Sequence, residues 1–169
     1  VVQQKWLLKL VGKLAGFLYR CFDKLLVSSP AFEKPLMRMG VPQSRIHSLP
    51  QWSEDLYQRE DPDPILLEKE RMKDRFNIMF AGNLGPAQDP ELILASAEKL
   101  KAFPHINFVI LGDGVSFEFL RQEIQRRGLS NVDLKGRRPL EMMPRYFALA
   151  DAMLVQLKKN FPLLNNVDI

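Results

Sequence analysis

The 169-residue chain has one cysteine, two histidines and no long uninterrupted apolar run. Cys21 alone cannot close an internal disulfide, which fits a reducing compartment. His47 and His105 stand far apart in the sequence, so no metal-ligand spacing is visible. Neither a Ser-His-Asp set nor a Cys-His pair can be read, and His47 reads as structural. There is no G-x-G-x-x-G and no Gly-Lys-Ser/Thr loop, which argues against a dinucleotide-dependent oxidoreductase and a P-loop enzyme. Charge of one sign barely dominates: 24 Lys and Arg face 20 Asp and Glu. The excess of +4 sits in the first 24 residues, where Lys5, Lys9, Lys13, Arg20 and Lys24 face Asp23 alone. The remainder is neutral, so nucleic acid is not an expected partner.

With 46% hydrophobic and 26% charged residues, the chain can bury a globular core. The N-terminal stretch KWLLKLVGKLAGFLYRCFDKLL repeats lysine at every fourth position from Lys5 to Lys13. Trp6, Leu7, Leu10, Leu14, Phe17 and Leu18 fill the opposite face. A spanning helix needs roughly 20 mainly apolar residues without such a stripe; this pattern predicts an amphipathic helix instead. Its two readings are a helix packed on its own protein and a helix lying on an anionic membrane surface. In the second, Lys5, Trp6, Lys9 and Lys13 would make the contact.

Apolar runs of strand length alternate with helical patterns. The chain predicts strands at 24–29 and 45–50 around a helix over 30–39 that Gly40 ends. Residues 50–64 are polar and acidic, rich in proline, and read as a crossover, with a helix over 65–75 leading out of it. A regular repeat follows: strands at 76–82, 106–112, 131–136 and 151–157, and helices at 89–103, 116–128 and 144–150. Asp89 and Ser116 are the expected N-caps, Pro90 the first residue of its helix and Gly128 a C-terminal stop. Apolar rather than alternating strands predict an α/β fold: a Rossmann-like, doubly wound parallel sheet preceded by the tail of another α/β domain. The expected organisation is a remnant domain over 1–50, a crossover over 51–75 and an incomplete nucleotide-sugar-binding domain over 76–169. The final FPLLNNVDI has no place in the pattern.

Ligands of such sheets sit beyond the carboxyl ends of the strands, and three loops qualify. Gly82-Asn83-Leu84-Gly85-Pro86-Ala87-Gln88 combines glycines with a following helix N-terminus, chemistry suited to a phosphate; the alternative is a plain strand-to-helix turn. In Gly112-Asp113-Gly114 the acid could meet a ribose hydroxyl or a base, or simply close a tight turn. Gly136-Arg137-Arg138 could pair with a diphosphate or form a solvated basic edge. The three loops follow successive strands and would converge on one rim. Met142 and Met143 read as core filling, and Arg126 and Arg127 as helix-end cations.

Four stretches together resemble the large retaining group of GT-B fold glycosyltransferases, the group 1 or family 4 type that builds surface polysaccharides. They are LLVSSPAFEKPLMRMGVPQSRIHSLPQW (25–52), FNIMFAGNLGPAQDPELILASAEKL (76–100), FVILGDGVSFEFLRQEIQRRGLSNVDLKGR (108–137) and PLEMMPRYFALADAMLVQL (139–157). The resemblance implies a cytoplasmic transferase, with peripheral contact to the inner membrane face as an option. It would move a sugar from a nucleotide-diphosphate sugar to a saccharide or polyprenyl-linked acceptor, without metal or other cofactor. It places Gly82, Asn83, Leu84, Gly85 and Gln88 at the donor phosphates, and Gly112, Asp113, Gly114, Gly136 and Arg137 at the nucleotide. Two departures are visible. Gln88 stands near where such proteins carry a lysine, and the spaced glutamate pair expected after the fourth strand has no counterpart. The resemblance therefore implies a chain truncated at both ends and inactive by itself. Alternatives are a non-catalytic nucleotide- or partner-binding module and a nucleotide-sugar epimerase of the same fold.

Overall fold

The computed structural model describes residues 5–158. They divide into two compact units, one reaching Ser53 and one opening at Glu54. The first unit holds helix α1 (Lys5–Cys21), strand β1 (Leu25–Val27), helix α2 (Glu33–Arg38) and strand β2 (Ile46–Ser48). The two strands pair in parallel, Leu25 opposite Ile46. Pro30 opens a 3₁₀ turn that leads into α2, and the Ser29 hydroxyl accepts the Ala31 N–H. The buried core here is small: Val27, Val41 and Ile46, with Leu25 and Leu36 packed against them.

The second unit opens with a short helix α3 (Pro64–Lys69) that belongs to it, since Leu66 and the following Met72 lie in its core. Asp63 caps α3 by accepting the N–H groups of Ile65 and Leu66. The helix stops well short of residue 75 because Arg71 and Asp74 take left-handed backbone, both at φ 59°. Strands β3 (Phe76–Ala81), β4 (Ile106–Leu111), β5 (Val132–Gly136) and β6 (Ala152–Met153) form one parallel sheet in the order β5-β4-β3-β6. Helices α4 (Pro90–Lys99), α5 (Phe117–Arg127) and α6 (Met143–Phe147) connect them.

Alternate residues of β3 and β4 face opposite sides of the sheet, and both sides are buried, which is why these strands read as continuous apolar runs. Phe80, Phe108 and Ile110 pack with Ile93, Leu94, Ala97 and Leu120 of α4 and α5. Met79, Val109 and Leu111 pack with Leu66, Met72, Tyr146 and Leu149. The sheet is thus doubly wound, as the alternating pattern predicts.

Three further expectations need correction. Asp89 is no side-chain cap: it sits in left-handed backbone at φ 43°, because a 3₁₀ turn (Pro86–Gln88) runs directly into α4. Ser116 holds the N-cap position of α5 without a capping bond from its side chain. The strand expected at 151–157 is only Ala152–Met153. Just beyond it Leu154 N–H still donates to Met79 of β3, at 2.7 Å, and Lys158 N–H then donates to Ala87, at 2.8 Å, in the 3₁₀ turn. FPLLNNVDI, and with it the end of the domain expected over 76–169, lies outside the described residues. No helix among the described residues is long and apolar enough to cross a membrane.

Candidate functional site

The loops after β3, β4 and β5 are locked together by backbone bonds at the carboxyl end of the sheet. Gly82 N–H donates to Leu111 and Gly112 N–H to Gly136, both at 3.0 Å. Leu84 N–H donates to Asp113 at 2.8 Å, and Ser116 N–H returns to Leu84 at 2.9 Å. This close approach dictates glycine. A Cβ on Gly112 would fall 1.8 Å from the Gly82 oxygen, and one on Gly114 would fall 2.6 Å from the Leu84 oxygen. Both also hold backbone angles that L-residues rarely adopt, φ 135° and 148°.

Above this lattice lies an open cavity of about 530 Å³. Its rim carries Gly82, Asn83, Gly112, Asp113, Gly114, Arg137 and Arg138, and its apolar wall carries Leu140, Met143, Phe147 and Tyr57. Of the ten residues expected at the nucleotide sugar, six therefore line one cavity: Gly82, Asn83, Gly112, Asp113, Gly114 and Arg137. The other four brace it from behind. Leu84 is buried, with its N–H and C=O spent on the neighbouring loop. Gly85 is also buried; its N–H donates to the Gln88 Oε1 at 3.1 Å, so Gln88 closes its own turn. Gly136 supplies the carbonyl that accepts Gly112 and takes φ 71° where β5 slips register against β4. Asp113 accepts from Gly114 N–H at 2.7 Å and is the one carboxylate among the residues lining the cavity.

The two arginines differ. Arg137 is exposed, and its guanidinium is unpaired among the described residues. Arg138 is engaged throughout. Its Nε donates to the Tyr146 hydroxyl at 2.9 Å, one Nη donates to the Lys135 carbonyl, and the other lies 3.6 Å from Glu70 Oε2. Tyr146 OH in turn donates to Glu70 Oε1 at 2.8 Å, and Lys135 Nζ stands 3.3 Å from the same carboxylate. Burial opposes ionisation of Glu70, but Tyr146, Lys135 and Arg138 outweigh it and hold its pKa below the ordinary value. Burial, followed by the bond to Glu70, pushes the Tyr146 phenol up, so this hydroxyl stays a donor.

The apolar wall is what sequence reasoning missed. Tyr57 comes from the polar crossover and stacks on Phe147 with ring centroids 5.8 Å apart. Leu140 and Met143 stand between Pro139 and Pro144, a bracketed turn directly after the third loop. That position is the available clue; Met142 and Met143 pack on the core as expected, and Met143 also lines the cavity.

Of the surface-helix candidates, Trp6 is 63% exposed. Lys9 and Lys13 line a groove with Arg20 and Arg38. The side chain of Lys5 lies outside the described part.

Comparison with known proteins places the chain in a family. The family model described as Glycosyl transferases group 1 matches residues 64–164. A putative colanic acid biosynthesis glycosyl transferase of Escherichia coli K12, WcaI, is 25% identical over 141 residues, covering 81% of this chain and 34% of its own length. HepE of Anabaena, solved in complex with UDP, superposes with a TM-score of 0.73 at 18% identity over 88% of this chain and 42% of its own. A glycosyltransferase of Rickettsia africae gives 0.70 at 14% identity, covering 84% and 41%. These structures establish the fold, that of the GT-B glycosyltransferases. The chain spans about a third of the curated relative and about two fifths of the two structures. Its family match covers more than half of the sequence: the chain belongs to the group 1 glycosyl transferases.

Proposed function

We propose that the second unit binds the nucleotide-diphosphate sugar of a retaining glycosyltransferase that acts in surface polysaccharide biosynthesis. The observation that carries this is the convergence of three strand-end loops on one cavity, with Gly82, Asn83 and Arg137 at its rim. HepE, of the same fold, has been solved with UDP and with UDP-glucose, and a uridine nucleotide is the first ligand to test. In this reading the diphosphate lies against the glycine loop and Arg137, where a guanidinium offers paired donors to phosphate oxygens. The nucleoside lies along Gly112–Gly114 and the wall of Leu140 and Met143. Transfer with retention asks the protein to stabilise the leaving diphosphate and to hold two sugars close, a task these groups suit. The acceptor would be a saccharide or a polyprenyl-linked saccharide. For these 169 residues alone we propose donor binding, the part of that task which the cavity supports.

Calorimetric titration tests the reading. UDP should bind saturably and more tightly than uridine. Absence of UDP binding by a folded chain would remove it.

A peripheral membrane contact is a separate proposal. Helix α1 exposes Trp6, Leu7, Leu10, Leu14, Phe17 and Leu18 beside Lys9 and Lys13. That pairing of apolar face and basic edge suits an anionic bilayer surface.

A further inference from the structure

Arg138 lines the nucleotide cavity yet has little left to offer a ligand. A guanidinium carries five N–H donors in a rigid fork. Here Nε is on Tyr146 OH, Nη1 is on the Lys135 carbonyl with the Arg137 carbonyl 3.4 Å away, and Nη2 faces Glu70. The plane also lies over the Tyr146 ring, 5.6 Å from its centroid. The surrounding charges close on themselves: Lys135 and Arg138 face Glu70 and Asp133, with Lys135 Nζ 3.6 Å from Asp133. Glu70, Lys135 and Arg138 are largely buried, at 12%, 14% and 26% exposure. Such a cluster fixes geometry, because losing one partner leaves buried charge unmet.

We infer that Arg138 is a positioning residue: it staples the carbonyls on either side of Gly136 and so presents Arg137 to the diphosphate, with Tyr146 and Glu70 holding the staple. The device spans three elements. Glu70 follows α3, Tyr146 lies on α6, and the stapled turn ends β5. Helix α3 is itself fastened to α6, since Asp63 accepts from Arg145. The segment before the regular repeat thereby governs a loop at the nucleotide cavity. The inference rests on the nucleotide site proposed above.

A double-mutant cycle on the full chain tests it, with UDP and uridine titrated into wild type, Tyr146→Phe, Arg137→Ala and the double variant. Tyr146→Phe removes one hydroxyl and keeps the ring. It should weaken UDP about 3- to 10-fold, the size of one hydrogen bond, and leave uridine within about twofold. In the Arg137→Ala background the same change should have no further effect on UDP, because the residue being positioned is gone. Arg138→Lys keeps the charge but cannot staple two carbonyls, and should match Tyr146→Phe. Equal weakening of UDP and uridine, or an undiminished Tyr146→Phe effect without Arg137, would overturn the inference while leaving the nucleotide site intact. A folded wild type that binds neither ligand would sink the site and the inference together.

Discussion

The two units handle apolar surface in opposite ways. The second buries two clusters, one on each face of its sheet, and Met79, Leu94, Val109 and Leu120 have no exposed area. The first buries three residues in one cluster, while Leu10, Leu14 and Phe17 on α1 each stay more than half exposed. At about 25 cal/mol per Å² of apolar surface removed from water, the second unit gains far more from folding by itself. The apolar arc on α1 is the feature on which the proposed membrane contact rests. The difference is a division of labour: the larger core and the cavity at the strand ends reside in one unit, and the exposed apolar helix face resides in the other.

Core truncation should show the largest contrast. Leu94→Ala in the second unit is expected to cost about 2–5 kcal/mol in urea melts. Val27→Ala, in a cluster of three, should cost less than about 2 kcal/mol. Trp6 and Trp52 are both exposed and report little on unfolding, so hydrogen exchange read on peptides from each unit follows the two separately. Equal costs, or truncations that each raise exchange in both units alike, would break the division.

The glycine lattice comes next. Gly112→Val places branched carbon where the Gly82 carbonyl already stands, 1.8 Å from its Cβ. The loops after β3 and β4 must separate, UDP binding should be abolished, and the second unit should lose roughly 1–3 kcal/mol of stability. Full UDP affinity in this variant would show that the loop lattice does not form the site.

The sheet and the rim of the cavity are legible in the amino-acid sequence alone. Strands such as INFVIL are apolar without alternation because both faces of β4 are covered, so sheet class and the positions of β3, β4 and β5 can be read directly. The run at 151–157 is apolar for all but two residues, yet it is strand only over Ala152–Met153. The rim can also be read, since strand-end glycines are required by chain geometry. What cannot be read depends on contacts between loops distant in sequence. Leu84, Gly85 and Gln88 look as available as Gly82 until the Asp113 and Ser116 backbones, and Gln88's own turn, are seen to consume their polar groups. Nothing local in Glu70 or Tyr146 announces that they meet across 76 positions. Tyr57 is hidden for the same reason, in a polar stretch from which it finds Phe147 only in three dimensions.

The exposed helix face gives a smaller effect that sharpens the comparison from the other side. With Trp52→Phe leaving Trp6 as the sole reporter, anionic vesicles should shift its emission to the blue and neutral vesicles should not. Neutralising Lys9 and Lys13 together should weaken vesicle binding about 30-fold, at about 1 kcal/mol for each basic residue near an anionic surface. Unchanged binding, or none by the parent chain, would return α1 to a packing role.

The smallest effect concerns acid. Glu123 on α5 receives Arg126 at 2.7 Å and Arg127 at 2.8 Å, and these two guanidinium hydrogen bonds lower its pKa from 4.5 to about 2. Arg127 also reaches Glu91 on α4 at 2.8 Å, so the pair ties together the two helices on one face of the sheet. The sign follows from linkage. A depressed carboxylate binds fewer protons in the folded state, so its stabilisation is complete above the ordinary value of 4.5 and drains away as pH falls towards about 2. Glu123→Gln should therefore flatten the loss of stability between those two values and change little near neutrality. Because α5 belongs to the second unit, the flattening should appear in the hydrogen exchange of that unit's peptides and not in those of the first. An acid profile identical to wild type would mean that the Arg126 and Arg127 pairs are not held in solution.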